Sequence, residues 1–447
     1  MAVPVLNNWF AVTGTFIHST LTSPMVILRN HCIGVTSGKI VFIEKNDDSI
    51  VDVLKKYDID ADSVLHLEGL QFVVPGFVDT HIHASQYSNC GKYLDEDMLS
   101  WLHKYTFPTE AKFADPNFAT TKYWKVVSRV IKNGTTTASY YATIHTSPTL
   151  KLCDILQSIG QRAIVGKVYM DQNCPDNYKE KTTTSVQDTL RYLPFQYTHI
   201  KPSITPRFAG NCSMELMRRL GHIAKSHNLH VQTHIAETKD ECEMVRKLFP
   251  EIRSYTDIYN EAGLLTQKTV LAHGIYLSSD ERKLIRLRHS GISHCPNSNI
   301  SMRSGMLDVR AYLDDNISVG LGTDISGGYN ASMLNAMRAA VCTSNTIAMQ
   351  KGPNYKPLDY QEVFKMATLE GAKVLDMEDV IGNFEIGKEF DALVVDPDVN
   401  GGPIDIFEDD TVEDAFQKFT FLGDDRNILK VFVAGSDILE NLIRKEY

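Results

Sequence analysis

Short apolar runs alternate with amphipathic stretches along most of the chain, beginning near Gln71. The apolar runs have the length and the β-branched content of buried strands, and the amphipathic stretches repeat their apolar residues at helical spacing. The predicted strands are Phe72–His83, Thr135–Thr143, Arg162–Met170, His199–Pro206, His230–Ala236, Thr269–His273, Ile292–Cys295 and Ile317–Thr323. Strands that alternate with helices favour a parallel sheet, and eight such units predict a (β/α)8 barrel.

The helical stretches carry recognisable ends. Phe118–Lys132 is followed by Asn133 and Gly134, which can end a helix in a left-handed conformation. Ser278 precedes two acidic residues and is expected to cap a helix that starts there. Further helical pattern covers Glu215–Ser226 and a long region from Ser332 to Ala372.

Both ends of the chain instead have the pattern of an antiparallel sheet. Near the beginning, β-branched and aromatic residues between turn residues predict strands over Phe10–His18, Met25–Val35 and Lys39–Glu44. Near the end, the same pattern returns over Ile381–Asp396 and Val431–Gly435. We therefore predict that residues 1–70 and 376–447 pair into one small β domain beside a barrel over residues 71–375.

Composition adds mainly exclusions. The 447 residues are 43% hydrophobic and 22% charged, as in ordinary soluble proteins. A formal net charge of −10 argues against a nucleic-acid partner, because phosphate binding needs a basic surface. The apolar runs are too short to cross a membrane. Met1–Phe10 has neither the basic region nor the apolar run of a secretory leader, so we expect a cytosolic protein.

The eight cysteines are scattered and form no C-x-x-C pair. In a chain of this size, this spacing predicts reduced thiols and no structural zinc site built from cysteine. It also excludes the class of zinc deaminases whose metal is bound through P-C-x-x-C.

Side chains that can bind a metal stand at the ends of four predicted strands. The first strand ends in a His-x-His pair, whose two side chains share one face of the strand. The complete set is His81, His83, His234, His273 and Asp324. Each one alone fits an ordinary polar residue at a strand end. Because barrel active sites lie at the carboxyl ends of the strands, we predict that all five meet at one rim.

This predicted cluster has the composition of a zinc site. Three imidazoles and one carboxylate provide the four ligands that zinc prefers, with room for a water molecule. Glu237 follows His234 by three residues and is expected to bring a further carboxylate to the same rim. The combination points to metal-assisted hydrolysis with a nearby proton carrier.

The motifs and their order resemble the amidohydrolase superfamily over nearly the whole chain. They are P-G-F-V-D-T-H-I-H (Pro75–His83), H-I-A-E (His234–Glu237), L-A-H-G (Leu271–Gly274), S-H-C-P-N-S-N (Ser293–Asn299), G-T-D (Gly322–Asp324) and I-G-N-F-E-I-G-K-E-F-D-A-L-V-V-D (Ile381–Asp396). The resemblance implies a (β/α)8 barrel with a returning β domain.

The resemblance also implies roles for individual residues. It assigns one Zn²⁺ ion per chain to the ligands His81, His83, His234 and Asp324. It makes Asp324 and Glu237 the groups that move protons, and it places His273 beside the attacking water.

Other stretches resemble those superfamily members that deaminate guanine. They are H-A-S-Q-Y (His83–Tyr87), K-Y-T-F-P (Lys104–Pro108), N-G-T-T-T (Asn133–Thr137), T-P-R-F (Thr205–Phe208) and F-L-G-D-D-R-N (Phe421–Asn427). This likeness implies free guanine and water as substrates, xanthine and ammonia as products, and a homodimer. The residues it places against the purine are Gln86, Arg207, Phe208, His83 and Glu237.

Several alternatives stay open at this stage. A related aminohydrolase could act on another purine or on a triazine ring with the same metal ligands. A binuclear hydrolase would need a bridging lysine, for which Lys201, near the beginning of its strand, is the nearest candidate. A barrel of this kind could also serve as a non-catalytic assembly protein. His145 and His294 lie near strand ends but are not assigned as ligands.

Overall fold

The computed structural model describes residues 9–46, 50–193 and 196–446. The expectation of no secretory leader rests on Met1–Phe10, and most of that segment, residues 1–8, lies outside these ranges. Within them, none of the helices combines the length and the apolar composition that crossing a membrane requires.

The strands of the described residues follow the sequence predictions closely. In chain order they are β1 (Phe10–His18), β2 (Val26–Thr36), β3 (Lys39–Lys45), β4 (Val64–His66), β5 (Phe72–Pro75), β6 (Phe77–His83), β7 (Thr135–Tyr141), β8 (Arg162–Tyr169), β9 (Ile200–Pro206), β10 (His230–Ile235), β11 (Thr269–His273), β12 (Gly291–His294), β13 (Val319–Leu321), β14 (Ala392–Val395), β15 (Ile428–Val433) and β16 (Ser436–Asp437).

The helices fill the intervals between strands. They are α1 (Ile50–Tyr57), α2 (Met98–Trp101), α3 (Phe107–Ala111), α4 (Pro116–Lys132), α5 (Thr146–Ile159), α6 (Thr182–Tyr192), α7 (Met214–Ser226), α8 (Lys239–Leu248), α9 (Tyr255–Glu261), α10 (Ser279–Leu287), α11 (Pro296–Ser301), α12 (Val309–Asp314), α13 (Met333–Lys351), α14 (Tyr360–Met366), α15 (Leu369–Val374), α16 (Val412–Leu422) and α17 (Ile438–Glu446). Ser278 caps α10 as predicted, because its side chain accepts a hydrogen bond from the backbone N–H of Glu281. The long helical region is divided into α13, α14 and α15.

Strands β6 to β13 form the barrel. Each strand pairs in parallel with its neighbour in sequence, from β6 through to β13. The two edge strands then meet: the backbone N–H of Asp324 donates to the carbonyl of His81 at 2.9 Å, and the hydroxyl of Thr80 donates to the carbonyl of Leu321 at 2.9 Å. The predicted (β/α)8 barrel is confirmed, and its strand ends share one rim.

The first predicted strand, Phe72–His83, is divided in two at Gly76. A side chain there would collide with Thr136, since a Cβ atom would lie 2.2 Å from its side chain. Before Gly76, β5 pairs with the terminal strands β1 and β14, and after it β6 enters the barrel. A single apolar run therefore contributes one strand to each of two sheets, and both of these strands are buried.

The two ends of the chain form one sheet, as the sequence predicts. Its strand order is β16-β15-β14-β5-β1-β2-β3, with β4 paired to β1. The predicted strand region Ile381–Asp396 is mostly irregular and contributes only β14. Glycines at 382 and 387 take positive φ angles there and interrupt the extended backbone. The division into residues 1–70 with 376–447 and 71–375 remains our prediction.

A buried ion pair joins this terminal sheet to the barrel. Arg162 at the beginning of β8 donates from Nε and Nη2 to the two carboxylate oxygens of Asp391, both at 3.0 Å. The backbone N–H of Ala434 also donates to Asp391, at 2.8 Å. Nη2 of Arg162 also donates to the partly exposed carboxylate of Glu389 at 2.5 Å.

We expect Asp391→Ala to lower the free energy of unfolding by about 3 kcal/mol, because buried Arg162 would lose two hydrogen bonds and keep only the partly exposed carboxylate of Glu389. The midpoint of urea unfolding, followed by fluorescence, measures this change. The matched control is Glu413→Ala, which removes the partner of Arg29 in an exposed ion pair and should cost less than about 1 kcal/mol. Equal losses in the two variants would contradict a special role for the buried pair.

Candidate metal centre and active site

The strand-end residues singled out by the sequence converge at the carboxyl rim of the barrel. The Nε2 atoms of His83 and His234 are 3.0 Å apart, and Nε2 of His81 lies 3.1 Å from Oδ1 of Asp324. One ligand atom from each of these four residues lies within 4.8 Å of all the others. A second, overlapping group replaces His83 and His234 by His273 and Cys295.

The histidine nitrogens of this cluster suit a bound cation. Among the described residues, both ring nitrogens of His81 and Nδ1 of His83 are buried without a hydrogen-bond partner. His234 donates from Nδ1 to the carbonyl of Arg207 at 2.7 Å, so its Nε2 lone pair faces the cluster. Burial lowers the pKa of all three histidines, which favours their neutral form. Neutral imidazoles with inward lone pairs are the ligands that zinc takes.

Asp324 supplies the anionic member of the cluster. Burial would raise the pKa of its carboxyl, but the neighbouring His81, His273 and His83 outweigh burial and hold the pKa well below its usual range. This environment favours the ionised form of the carboxyl. An ionised oxygen beside three neutral imidazoles gives a donor set with one negative charge, which a divalent cation compensates.

The carboxylate of Asp79 holds the segment that follows β13 and leads to Asp324. It accepts from the hydroxyl of Thr323 at 2.5 Å and from the backbone N–H of Thr323 at 3.0 Å. It also accepts from the backbone N–H of His81 at 3.2 Å. Burial raises the pKa of Asp79 to about 7. Asp79 thus joins the two chain segments that carry His81 and Asp324.

Glu237 lies beside the cluster and is held on both sides. Its Oε1 accepts from the hydroxyl of Ser304 at 3.1 Å, and its backbone N–H donates to Glu241 at 2.7 Å. Burial raises the pKa of the Glu237 carboxyl, although His273 opposes this shift. A carboxyl with a raised pKa can both give and take a proton near neutral pH.

His273 faces the same space from β11. Its Nδ1 donates to Oδ1 of Asn299 at 2.8 Å, which turns Nε2 toward Glu237 at 3.6 Å and Asp324 at 3.7 Å. Burial alone would lower its pKa, but the two carboxylates outweigh burial and raise it. Asn299 therefore orients the imidazole between the carboxylates of Glu237 and Asp324.

A cavity opens over the cluster, and the side chains predicted to contact the substrate line it. Its polar lining includes His83, Gln86, Arg207, Glu237, His273 and Asp324. Its apolar lining comes from Met98, Trp101, Leu102, Phe208 and Met302. A site of this kind, mostly apolar with a few directed polar groups, binds a small flat ligand well.

Three residues weighed from the sequence lie elsewhere. His145 precedes α5 without a capping hydrogen bond, and His294 is buried near His273. Neither is among the residues that line the cavity. Lys201 is the second residue of β9, at the amino end of the barrel and exposed. The bridging lysine of a binuclear centre is therefore not supplied by Lys201.

Sequence reasoning missed the residues that support the site. Asp79, Glu110, Asn299, Ser304 and Glu241 were not identified. Asp79 and Asn299 lie inside motifs that were recognised, and Asp79 shares a strand face with His81, which is a usable signal. Ser304 and Glu110 reach the site from a loop and a short helix, where no local pattern marks them.

Comparison with known proteins decides the family. A family model described as "Amidohydrolase family" matches residues 72–437. The chain belongs to the amidohydrolase family. The family is metal-dependent, and the cluster of His81, His83, His234 and Asp324 is a candidate for its metal centre.

Several similar proteins are guanine deaminases. A guanine deaminase from Homo sapiens is 48% identical over 436 residues, which cover 95% of this chain and 96% of that protein. One from Dictyostelium discoideum is 43% identical over 438 residues, 95% of this chain and 97% of that protein. A crystal structure of guanine deaminase from C. acetobutylicum with guanine bound in the active site is 36% identical, with a TM-score of 0.90 over 96% of this chain and all of the other.

Proposed function

We propose that this protein is a zinc-dependent hydrolase that deaminates free guanine to xanthine and ammonia. The observation that carries the proposal is the single cavity in which Gln86 and Arg207 face the candidate metal ligands. The similarity to guanine deaminases over nearly the full chain supports the same activity. The reaction replaces an exocyclic amine of a cyclic amidine with oxygen from water.

We propose one Zn²⁺ per chain, held by His81, His83, His234 and Asp324. The fit of three neutral imidazoles and one carboxylate supports zinc over magnesium, which prefers oxygen ligands. When bound, zinc supplies a Lewis acid that generates a nucleophile from water near neutral pH.

Three side chains would handle the protons of the reaction. Asp324 accepts a proton from the attacking water through a carboxylate oxygen. Glu237, initially protonated, donates its proton to ring N3 of guanine, which its raised pKa favours. It then takes the proton of the new C2 hydroxyl as the carbonyl forms and delivers it to the departing amine. The proton held by Asp324 finally restores Glu237. His273, between these two carboxylates, orients the water.

The far wall of the cavity would hold the purine. The O6 and N7 atoms of guanine are hydrogen-bond acceptors, which the amide of Gln86 and the guanidinium of Arg207 can satisfy. Phe208 offers a flat apolar face for the ring, and His83 and Glu237 complete the contact. This placement directs C2 toward the metal ligands.

The remaining expectations are part of the same proposal. We propose that the protein acts in the cytosol as a homodimer, with no nucleic-acid or membrane partner. The eight free cysteines are consistent with a reducing compartment. The second candidate is an aminohydrolase for another purine or a triazine, which would share the metal ligands and differ at the wall of Gln86 and Arg207. An assembly protein without activity would not need each ligand position to be filled.

The test is ammonia release from the purified, zinc-loaded protein with a panel of free purines, pyrimidines and triazines. We expect guanine to be the preferred substrate, and guanine inside an oligonucleotide to be inert, because the buried wall has no room for a polymer. The net charge of −10 also opposes approach of a phosphate chain.

Preference for adenine or a triazine would instead support the second candidate. Efficient deamination of guanine within the oligonucleotide would contradict the free base as substrate.

A further inference from the structure

A completely buried carboxylate lies directly behind Gln86 and Arg207, which form the wall proposed to hold the guanine base. Glu110, in α3, accepts three hydrogen bonds: from Nε2 of Gln86 at 2.9 Å, from Nη1 of Arg207 at 2.7 Å and from the hydroxyl of Tyr178 at 2.7 Å. A buried carboxylate persists only when it is paired and hydrogen-bonded. Two of its three donors are the cavity residues proposed to bind the base.

Glu110 neutralises the only formal charge of that wall. Arg207 is itself buried, and its guanidinium packs 5.2 Å from the ring of Phe107, one turn before Glu110. Burial would lower the pKa of Arg207, but the charge of Glu110 outweighs burial and raises it. Arg207 therefore stays charged, with a carboxylate oxygen of Glu110 2.7 Å from its Nη1 atom.

Glu110 also decides which way the amide of Gln86 points. The Nε2 atom must face the carboxylate, since a carboxylate only accepts hydrogen bonds. The Oε1 atom accepts from the backbone N–H of Ser326 at 3.3 Å. One amide N–H of Gln86 and the outer N–H groups of Arg207 are then left for a ligand. The wall thus offers donors to a ligand but no net positive charge.

Glu110 belongs to the same chain segment as the apolar part of the cavity. Met98, Trp101 and Leu102 line the cavity, and a π-helical turn over Leu102–Thr106 leads directly into α3. π-Helical turns occur often at functional sites. The same segment therefore supplies the apolar side of the cavity and the Glu110 carboxylate behind Gln86 and Arg207.

We propose that Glu110 is a specificity-determining residue, which makes the wall of Gln86 and Arg207 select a neutral purine and reject an anionic one. This inference rests on the proposed function. Guanine is neutral near pH 7, whereas its product xanthine has a second carbonyl that makes a ring N–H more acidic. The paired wall therefore favours the substrate and disfavours the deprotonated product.

The test is Glu110→Gln, measured by KM and kcat for guanine and by inhibition with xanthine between pH 6 and 9. One amide oxygen cannot satisfy three donors, so we expect KM to rise about tenfold or more. The turnover number should change less than about threefold, because the lost contact acts on bound substrate and transition state alike. Xanthine should inhibit relatively better, with its Ki divided by the KM of guanine falling about tenfold at alkaline pH, because Arg207 is no longer neutralised.

Two control variants separate charge from structure. Tyr178→Phe removes one hydrogen bond to Glu110 but leaves its charge, so the ratio of Ki to KM should stay at the wild-type value. Glu180→Gln removes the partner of Lys167 in another buried pair, outside the cavity lining, and controls for loss of stability alone.

Equal weakening of guanine and xanthine in Glu110→Gln, or no change in either, would refute the inference. If that variant does not fold, the wild-type protein still provides a test: the Ki of xanthine should rise as xanthine loses its proton, and a fall would refute the inference. Wild-type turnover of guanine tests the proposed function separately. Normal turnover with an unchanged ratio in the variant would overturn the role of Glu110 alone.

Discussion

His83→Ala is expected to remove the zinc and the activity together. His83 comes within 3.0 Å of His234 and 3.5 Å of Asp324 through the same Nε2 atom, so it lies at the centre of the proposed ligand set. The three remaining ligands would bind zinc poorly. Without the metal, the water loses its activation, and turnover should fall to the background rate.

The measurement is metal content by elemental analysis, together with turnover of guanine. Wild-type protein should contain about one zinc per chain, since the four proposed ligands form one zinc site that still has room for a water molecule. The matched control is His230→Gln, at the opposite end of β10 from His234, where Nε2 contacts the carbonyl of Leu375 at 3.0 Å. This variant should keep its zinc. Two metals per chain, or full zinc content in His83→Ala, would contradict the proposed ligand set.

Glu237→Gln should fold, keep its zinc and bind guanine, yet lose at least about a hundredfold in turnover, because general acid–base catalysis is typically worth about 10² to 10⁴ in rate. The amide keeps the size of the carboxyl group, and its oxygen can still accept the hydrogen bond from Ser304. Only the transfer of a proton is lost, so kcat should fall while guanine binding remains.

The deciding measurement is turnover of zinc-loaded Glu237→Gln, beside its equilibrium binding of guanine. Asp324→Asn is the informative comparison: as a proposed ligand, it should lower zinc content as well as turnover, whereas Glu237→Gln should not. Near-normal turnover of Glu237→Gln would mean that another group carries the proton. His273, whose Nε2 is 3.6 Å from Glu237, would be the next candidate.

The barrel could be predicted from sequence because its signals are local. Strand β11 matches its predicted bounds, Thr269–His273, residue for residue. The predicted strand Ile317–Thr323 is reduced to β13, because its last residues leave the ladder: the backbone N–H of Thr323 donates to Asp79 instead. Side-chain contacts such as this one are not encoded in hydrophobic periodicity.

The candidate site also has a part that the sequence predicts and a part that it does not. Histidines at strand ends can be located from the sequence, since the barrel rim brings all strand ends together. Their supporting partners depend on the packing of distant segments: Glu110 and Arg207 are 97 positions apart in the chain. Glu110 lies in a five-residue helix with no repeating pattern, so its role became visible only with the contacts of Gln86 and Tyr178.

The seam of the barrel gives the proposed metal a second task. In the described part of the chain, the parallel ladder runs from β6 to β13 and ends there, and a few hydrogen bonds join the two edges. His81 and His83 lie on one edge, and Asp324 follows the other, 241 positions beyond His83 in the chain. A metal held by all three would act as a cross-link that closes this long loop. Loss of the metal should then loosen the barrel first between β6 and β13, so that zinc binding also stabilises the closed barrel.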